Sequence, residues 1–213
     1  MTRRPPNFCN RSRGTVLLAA LVMLIALMLG AAALMRMVES ANLLSGNMAF
    51  KRAATLAAEA GTEAAIAWLA QQDAATLAVD QAAKGYYASD ASNFDATGNR
   101  GGSLSSGVDW KSDNCAGATL ARCLKPVAVS GPDAAGNTVR YVVQRLCTAP
   151  GAFASSGDCA FHFPAEADSS SRSSLSYGRN QRLAGAPLAY YRITARASGP
   201  RNTVSVIEVL VRY

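Results

Sequence analysis

The hydrophobic rhythm of the chain changes twice. Residues 14–35, GTVLLAALVMLIALMLGAAALM, carry no charge over 22 positions. As a helix rising 1.5 Å per residue they reach roughly 33 Å, close to the hydrocarbon thickness of a bilayer. From Leu34 to Leu69 proline is absent and alanine abundant, so the helix continues. Leu34, Met37, Val38, Ala41, Leu44 and Met48 share one face at helical spacing. After Lys51-Arg52 the apolar face moves round to Ala53, Leu56, Ala60, Ala64 and Ala67. Either two packing partners follow one another along the helix, or the shift reflects only the tolerance of alanine for any environment. Gly46 and Gly61 each cost about 1 kcal/mol in a helix interior and mark points where it can bend. A helix from about residue 15 to 72 would be roughly 86 Å long. A domain this small cannot bury such a rod, which calls for partners along its length.

Beyond the helix the period falls to two. KPVAVS (125–130) and NTVRYVVQRLC (137–147) are β-branched and flank the turn-rich GPDAAG, the pattern of a hairpin. YYRITARA (190–197) alternates cleanly, with Tyr191, Ile193, Ala195 and Ala197 on one face and Tyr190, Arg192, Thr194 and Arg196 on the other. SGPRN turns it into TVSVIEVLVRY (203–213), where the alternation slips at Val206-Ile207 through a bulge or because both faces are covered. The expected fold is α+β: a long N-terminal helix, its first half membrane-spanning, packed on a C-terminal antiparallel sheet of four or more strands. Residues 85–107 and 154–185, rich in Gly, Ser, Asp and Asn, read as surface loops.

Charge orients the apolar run. The flank before it carries Arg3, Arg4, Arg11 and Arg13 and no acid, which places the N-terminus in the cytoplasm and the residues after Arg36 across the membrane. Residues 1–14 hold four of the 21 basic residues, leaving 17 against 14 acids, so the formal +7 shrinks to +3 over the remainder. The remainder suffices for one domain of about 140 residues behind the helix. A secretory signal cleaved after Ala31-Ala32-Ala33 is the rival reading of the run, although such apolar regions normally span only about 7 to 15 residues.

Cysteine usage agrees with export. Cys9 lies in the flank, whereas Cys115, Cys123, Cys147 and Cys159 fall in the far portion, where disulfides persist. Of the connectivities open to four cysteines, Cys115–Cys123 and Cys147–Cys159 close short loops beside expected strands. A zinc site is disfavoured by the lack of a C-x-x-C and by a single histidine, His162. His162 lies between aromatics in FHFP and reads as structural. Asp90, Asn93 and Asp95 lack the alternate-residue spacing of a calcium loop. Neither a nucleophile elbow nor a phosphate loop occurs, and the chain reads as a non-enzyme without cofactor or metal. Glu59 and Glu63, four residues apart on one helical face, are better explained by basic groups on neighbouring subunits than by acid–base chemistry.

Arg13-Gly14, the uncharged helix, and then MVESANLLSGNMAFKRAATLAAEAGTEAAIAWL together resemble the N-terminal region of the PilX family of type IV pilus minor pilins. Glu39, Gly46-Asn47 and Ala58-Glu59-Ala60 match the family's glutamate, Gly-Asn pair and Ala-Glu-Ala segment in order. The likeness covers roughly residues 11 to 70, with a weaker echo at the C-terminal hairpin. It implies a prepilin leader (1–14), cut after Gly14 by prepilin peptidase so that Thr15 becomes the usually N-methylated mature end. A transmembrane half-helix (15–35), an exported amphipathic half (36–72) and a periplasmic head domain (73–213) follow. Assembly residues would be Ala19, Glu39, Asn47 and Glu59. The fifth mature position, usually glutamate in pilins, is Ala19, a departure that many PilX-like sequences share. The implied partners are other minor pilins, the major pilin, prepilin peptidase and inner-membrane lipid.

Three functions follow as expectations: a minor pilin that initiates and caps a pilus, a minor pseudopilin of a type II secretion system, or a DNA-uptake component. Seven arginines against three acids after residue 165 give the last its only support. With +3 overall and no aromatic-basic cluster, that bias reads as a solvated basic face, and nucleic acid is not among the expected partners.

Overall fold

The computed structural model describes residues 13–91, 93–97, 106–116, 120–129, 131–152, 158–162 and 188–213. The chain divides into two compact units, Met1–Ala49 and Phe50–Tyr213. Helix α1, Arg13–Leu69, is 57 residues long and belongs partly to each. Within its first unit the apolar side chains Val16, Leu17, Leu21, Ile25, Leu29 and Met35 are all exposed. The helix is long and apolar enough to cross a membrane. It ends at Leu69, slightly short of the expected 72, where Gln71 N donates to Trp68 O and Gln72 N to Leu69 O in tightened turns.

In the second unit a six-stranded sheet is built around β6 (Thr138–Arg145) and β8 (Leu188–Ser198), antiparallel from Thr138 opposite Ser198 to Arg145 opposite Tyr191. β9 (Val204–Arg212) lies antiparallel on the other side of β8. β5 (Val127–Ala128) forms the expected hairpin with β6, and β1 (Tyr86–Tyr87) joins β6 in parallel. β7 (Phe161–His162) pairs with the start of β8. A separate sheet of β2 (Phe94–Asp95), β3 (Ser106–Val108) and β4 (Arg122–Leu124) is wholly parallel. The arrangement is α+β, antiparallel in its main strands and mixed overall.

Two readings of the strands need correction. Pairing along β9 keeps one register from Val204 to Arg212, so the slip at Val206-Ile207 is not a bulge. Instead the strand's outer face carries apolar residues that are only partly covered, and Leu210 is 59% exposed. Residues 85–107 are not simply a surface loop: Tyr86, Tyr87, Ala88 and Ala91 are buried and the segment contributes β1, β2 and the start of β3. Much of the second loop, 154–185, lies outside the described residues.

The helical stripe is also displaced. The face packed on the sheet comprises Ala54, Ala57, Ala58, Gly61, Thr62, Ala65 and Leu69. In contrast, Leu56 is 65% exposed and Ala60 and Ala67 face outward. From Ala54 to Ala65 size rather than apolarity selects the buried face, because only small side chains let the helix backbone come this close; Leu69 is buried where the helix ends. A Cβ at Gly61 would stand 2.5 Å from Val139 Cγ1 and 3.2 Å from Ala195 Cβ. The glycine thus serves a close approach, at a site where the sequence suggested a bend.

Candidate functional site

The residues singled out along the helix are presented rather than assembled into a pocket. Gly14 lies in its first turn, and Thr15, Ala19, Glu39 and Asn47 all fall in the exposed stretch of the first unit. Glu59 belongs to the second unit, where it is exposed with Glu63, Leu56 and Ala60 on the side of the helix turned away from the sheet. Beneath them Thr55 Oγ1 lies 3.1 Å from Ser205 Oγ, and Thr62 Oγ1 donates to Glu59 O at 2.7 Å. The helix therefore carries two distinct faces in this unit: a small-residue face committed to the sheet and a glutamate-bearing face open to solvent.

Cys115 is bonded to Cys123 and Cys147 to Cys159. The first bridge ties the turn after Trp110 to β4, and the second joins the end of β6 to the segment leading into β7. Among the described residues no group of His, Cys, Asp and Glu is disposed to hold a metal ion. Asp90 pairs with Arg192, and Asp95 Oδ1 accepts from Thr97 N and Oγ1, so these acids are engaged locally. His162 is half-buried within β7.

The basic bias of the C-terminal third is not wholly a solvated face. On the side of the sheet away from the helix, Arg192 lies over Phe94 at 4.6 Å and Arg196 over Trp110 at 5.8 Å. Arg122 similarly covers Tyr87 at 5.3 Å and bonds Asp80 at 3.1 Å. Arg140 donates to Trp110 O and Ser112 Oγ. These contacts fasten the parallel sheet and its Tyr87–Val108–Trp110–Leu124 core to Val142 of β6. Burial, reinforced by the adjacent Arg140, lowers the pKa of Arg196. The alternation of Arg192, Thr194 and Arg196 was visible in the sequence, but the aromatic partners lie about 80 to 100 residues earlier, beyond any local pattern.

Sequence reasoning missed Arg145. It continues the core-facing positions Val139, Tyr141 and Val143 of β6 and is itself buried. Its signal was a cation where strand alternation calls for an apolar residue. Opposite it stands Tyr191, whose pKa is raised by burial, an effect that the Arg145 charge opposes. Tyr86 is shifted upward for the same leading reason, with its hydroxyl donating to Leu77 O at 2.7 Å.

Compared with known proteins, the chain matches no family model, no curated protein and no solved structure.

Proposed function

We propose that the chain is a PilX-like minor pilin, a non-enzymatic subunit that takes part in initiating and assembling a type IV pilus at or near its tip. The observation that carries this reading is the unbroken helix α1. It runs from an uncharged, wholly exposed stretch into a segment whose small-residue face forms part of the core of an α+β domain. A discarded signal has no use for such continuity. An anchor later withdrawn into a filament core does.

In this reading prepilin peptidase removes residues 1–14, and Thr15–Met35 holds the subunit in the inner membrane with the 73–213 domain in the periplasm. Other minor pilins and the major pilin then pack along the helix. Glu39, Asn47 and Glu59 are exposed and free to meet them. Ala19 gives the subunit its position. A carboxylate in an apolar helical core costs several kcal/mol unless it is paired, so a glutamate there would guide docking onto the amine of a neighbouring subunit. Ala19 cannot make that contact with a subunit assembled ahead of it. The Thr15 amine can still be met by a glutamate from a later subunit, which suits a place at the start of the filament.

Deleting the gene should sharply reduce surface pili. Labelled protein should be found in few copies, at filament ends. Regular labelling along the whole shaft would defeat the tip assignment, and normal piliation in the deletion strain would defeat the assembly role.

A further inference from the structure

Arg145 is only 3% exposed, yet among the described residues its guanidinium bonds two neutral groups alone: Nε donates to Ala88 O at 3.0 Å and Nη2 to Gly151 O at 2.7 Å. Those bonds use two of its five N–H donors. Among the described residues no carboxylate stands at ion-pair distance from it. Two carbonyls orient the fork but do not neutralise it, and a buried cation without a counter-charge is unfavourable.

Its direct partner across the strand pair, Tyr191, is 4% exposed, with no hydrogen-bond acceptor for its hydroxyl among the described residues. Both residues line a pocket of about 380 Å³ between the segment that follows α1, β6, β8 and the chain end. Gln72, Leu77, Ala78 and Ala189 form other parts of its wall. That volume falls at the small end of ligand pockets, and mostly apolar walls with a few convergent polar groups are their usual make-up.

We propose that this pocket binds a small organic carboxylate, its two oxygens on the Arg145 fork and the Tyr191 hydroxyl, its short apolar body against Leu77, Ala78 and Ala189. A planar guanidinium matches a carboxylate in shape as well as charge. Free phosphate is the poorer fit, because its remaining oxygens would face mostly alanine and leucine, and the other donors of the wall are engaged, Gln72 Nε2 with Trp68 O and the Tyr213 hydroxyl with Ala70 O. The site is independent of the pilin reading: it lies within the second unit and uses none of the helix residues assigned to assembly.

The test is saturable binding of phenylacetate to the full-length protein in non-ionic detergent, followed by ligand-observed NMR and by the shift in melting temperature. Phenethylamine and inorganic phosphate serve as comparison probes. The wild type should bind phenylacetate and neither of the others. Arg145→Lys keeps the charge but loses the fork, and should weaken binding about tenfold. Ala78→Phe fills the pocket while sparing both guanidinium bonds, and should abolish binding in a folded protein even if the Arg145 variant does not fold. Absence of saturable phenylacetate binding, equal binding of the amine or phosphate, or wild-type affinity in Ala78→Phe would each overturn the proposal.

Discussion

The two parts of α1 solve opposite problems with the same backbone. In the first unit Leu, Met and Val project outward all round the helix and Gly46 has open space about it. In the second unit the contact face is mostly alanine and glycine, with Thr62 and Leu69 toward its end, and Gly61 has the sheet against it. Large side chains suit a helix whose solvent is lipid or other helices. Small ones suit a helix seated at short range on a twisted sheet. Two glycines that cost the same in an isolated helix therefore have different standing here.

The largest effect is expected from enlarging Gly61. Gly61→Leu puts branched carbons where Val139 and Ala195 already sit, and should destabilise the second unit by about 3 kcal/mol or prevent its folding. Urea unfolding followed by tryptophan fluorescence measures this; a loss under about 0.5 kcal/mol would mean that the helix is not held at close range. Next comes the sheet itself. Joint replacement of Cys147 and Cys159 by alanine releases the tie between the end of β6 and the approach to β7, and should cost roughly 2 to 4 kcal/mol in the same assay. With residues 1–14 removed, thiol labelling of the denatured, unreduced wild type should find no reactive cysteine.

Changes to the outward positions of α1 should do little. Gly46→Ala meets nothing within 4 Å and removes a poor helix former, so it should leave stability unchanged or raise it by up to about 1 kcal/mol. Leu56→Gln, on the outward face, should stay within about 0.5 kcal/mol in the isolated protein. A large effect on pilus assembly from the same change would show that this face serves a partner.

The smallest effect is an acid dependence at the β5–β6 turn. Asp133 accepts hydrogen bonds from Ala135 N, Asn137 N and Asn137 Nδ2. Bonds from the Asn137 side chain and then its backbone hold this carboxyl below its ordinary 3.8. A carboxyl depressed in the folded state stabilises it fully above the unfolded pKa, and the contribution is lost as pH falls through the folded value. Asp133→Asn should therefore flatten the pH dependence of stability below about pH 4 and leave it unchanged near neutrality, as read from thermal melts across that range.

Local patterns carried much of the fold. The uncharged run, the GPDAAG hairpin and the alternation of Tyr191, Ile193, Ala195 and Ala197 were legible because period and turn chemistry act over a few residues, and all four of those side chains are buried. The buried face of the helix was not legible. Alanine gives almost no contrast between faces, and the sheet selected for size at Ala54, Ala58 and Gly61 while leaving Leu56 outside. Nor could local pattern show that Phe94 and Trp110 would return to cover Arg192 and Arg196, since that pairing closes long loops. Arg145 was detectable, as the one cation in an otherwise apolar strand face.

If the apolar helix is retained whole, the mature N-terminus will lie at its start. Intact-mass spectrometry of the protein purified from its native membrane should find a chain beginning at Thr15, carrying one N-methyl group. A mature end near Leu34 would mean that the run is a discarded signal, and would contradict the pilin reading outright.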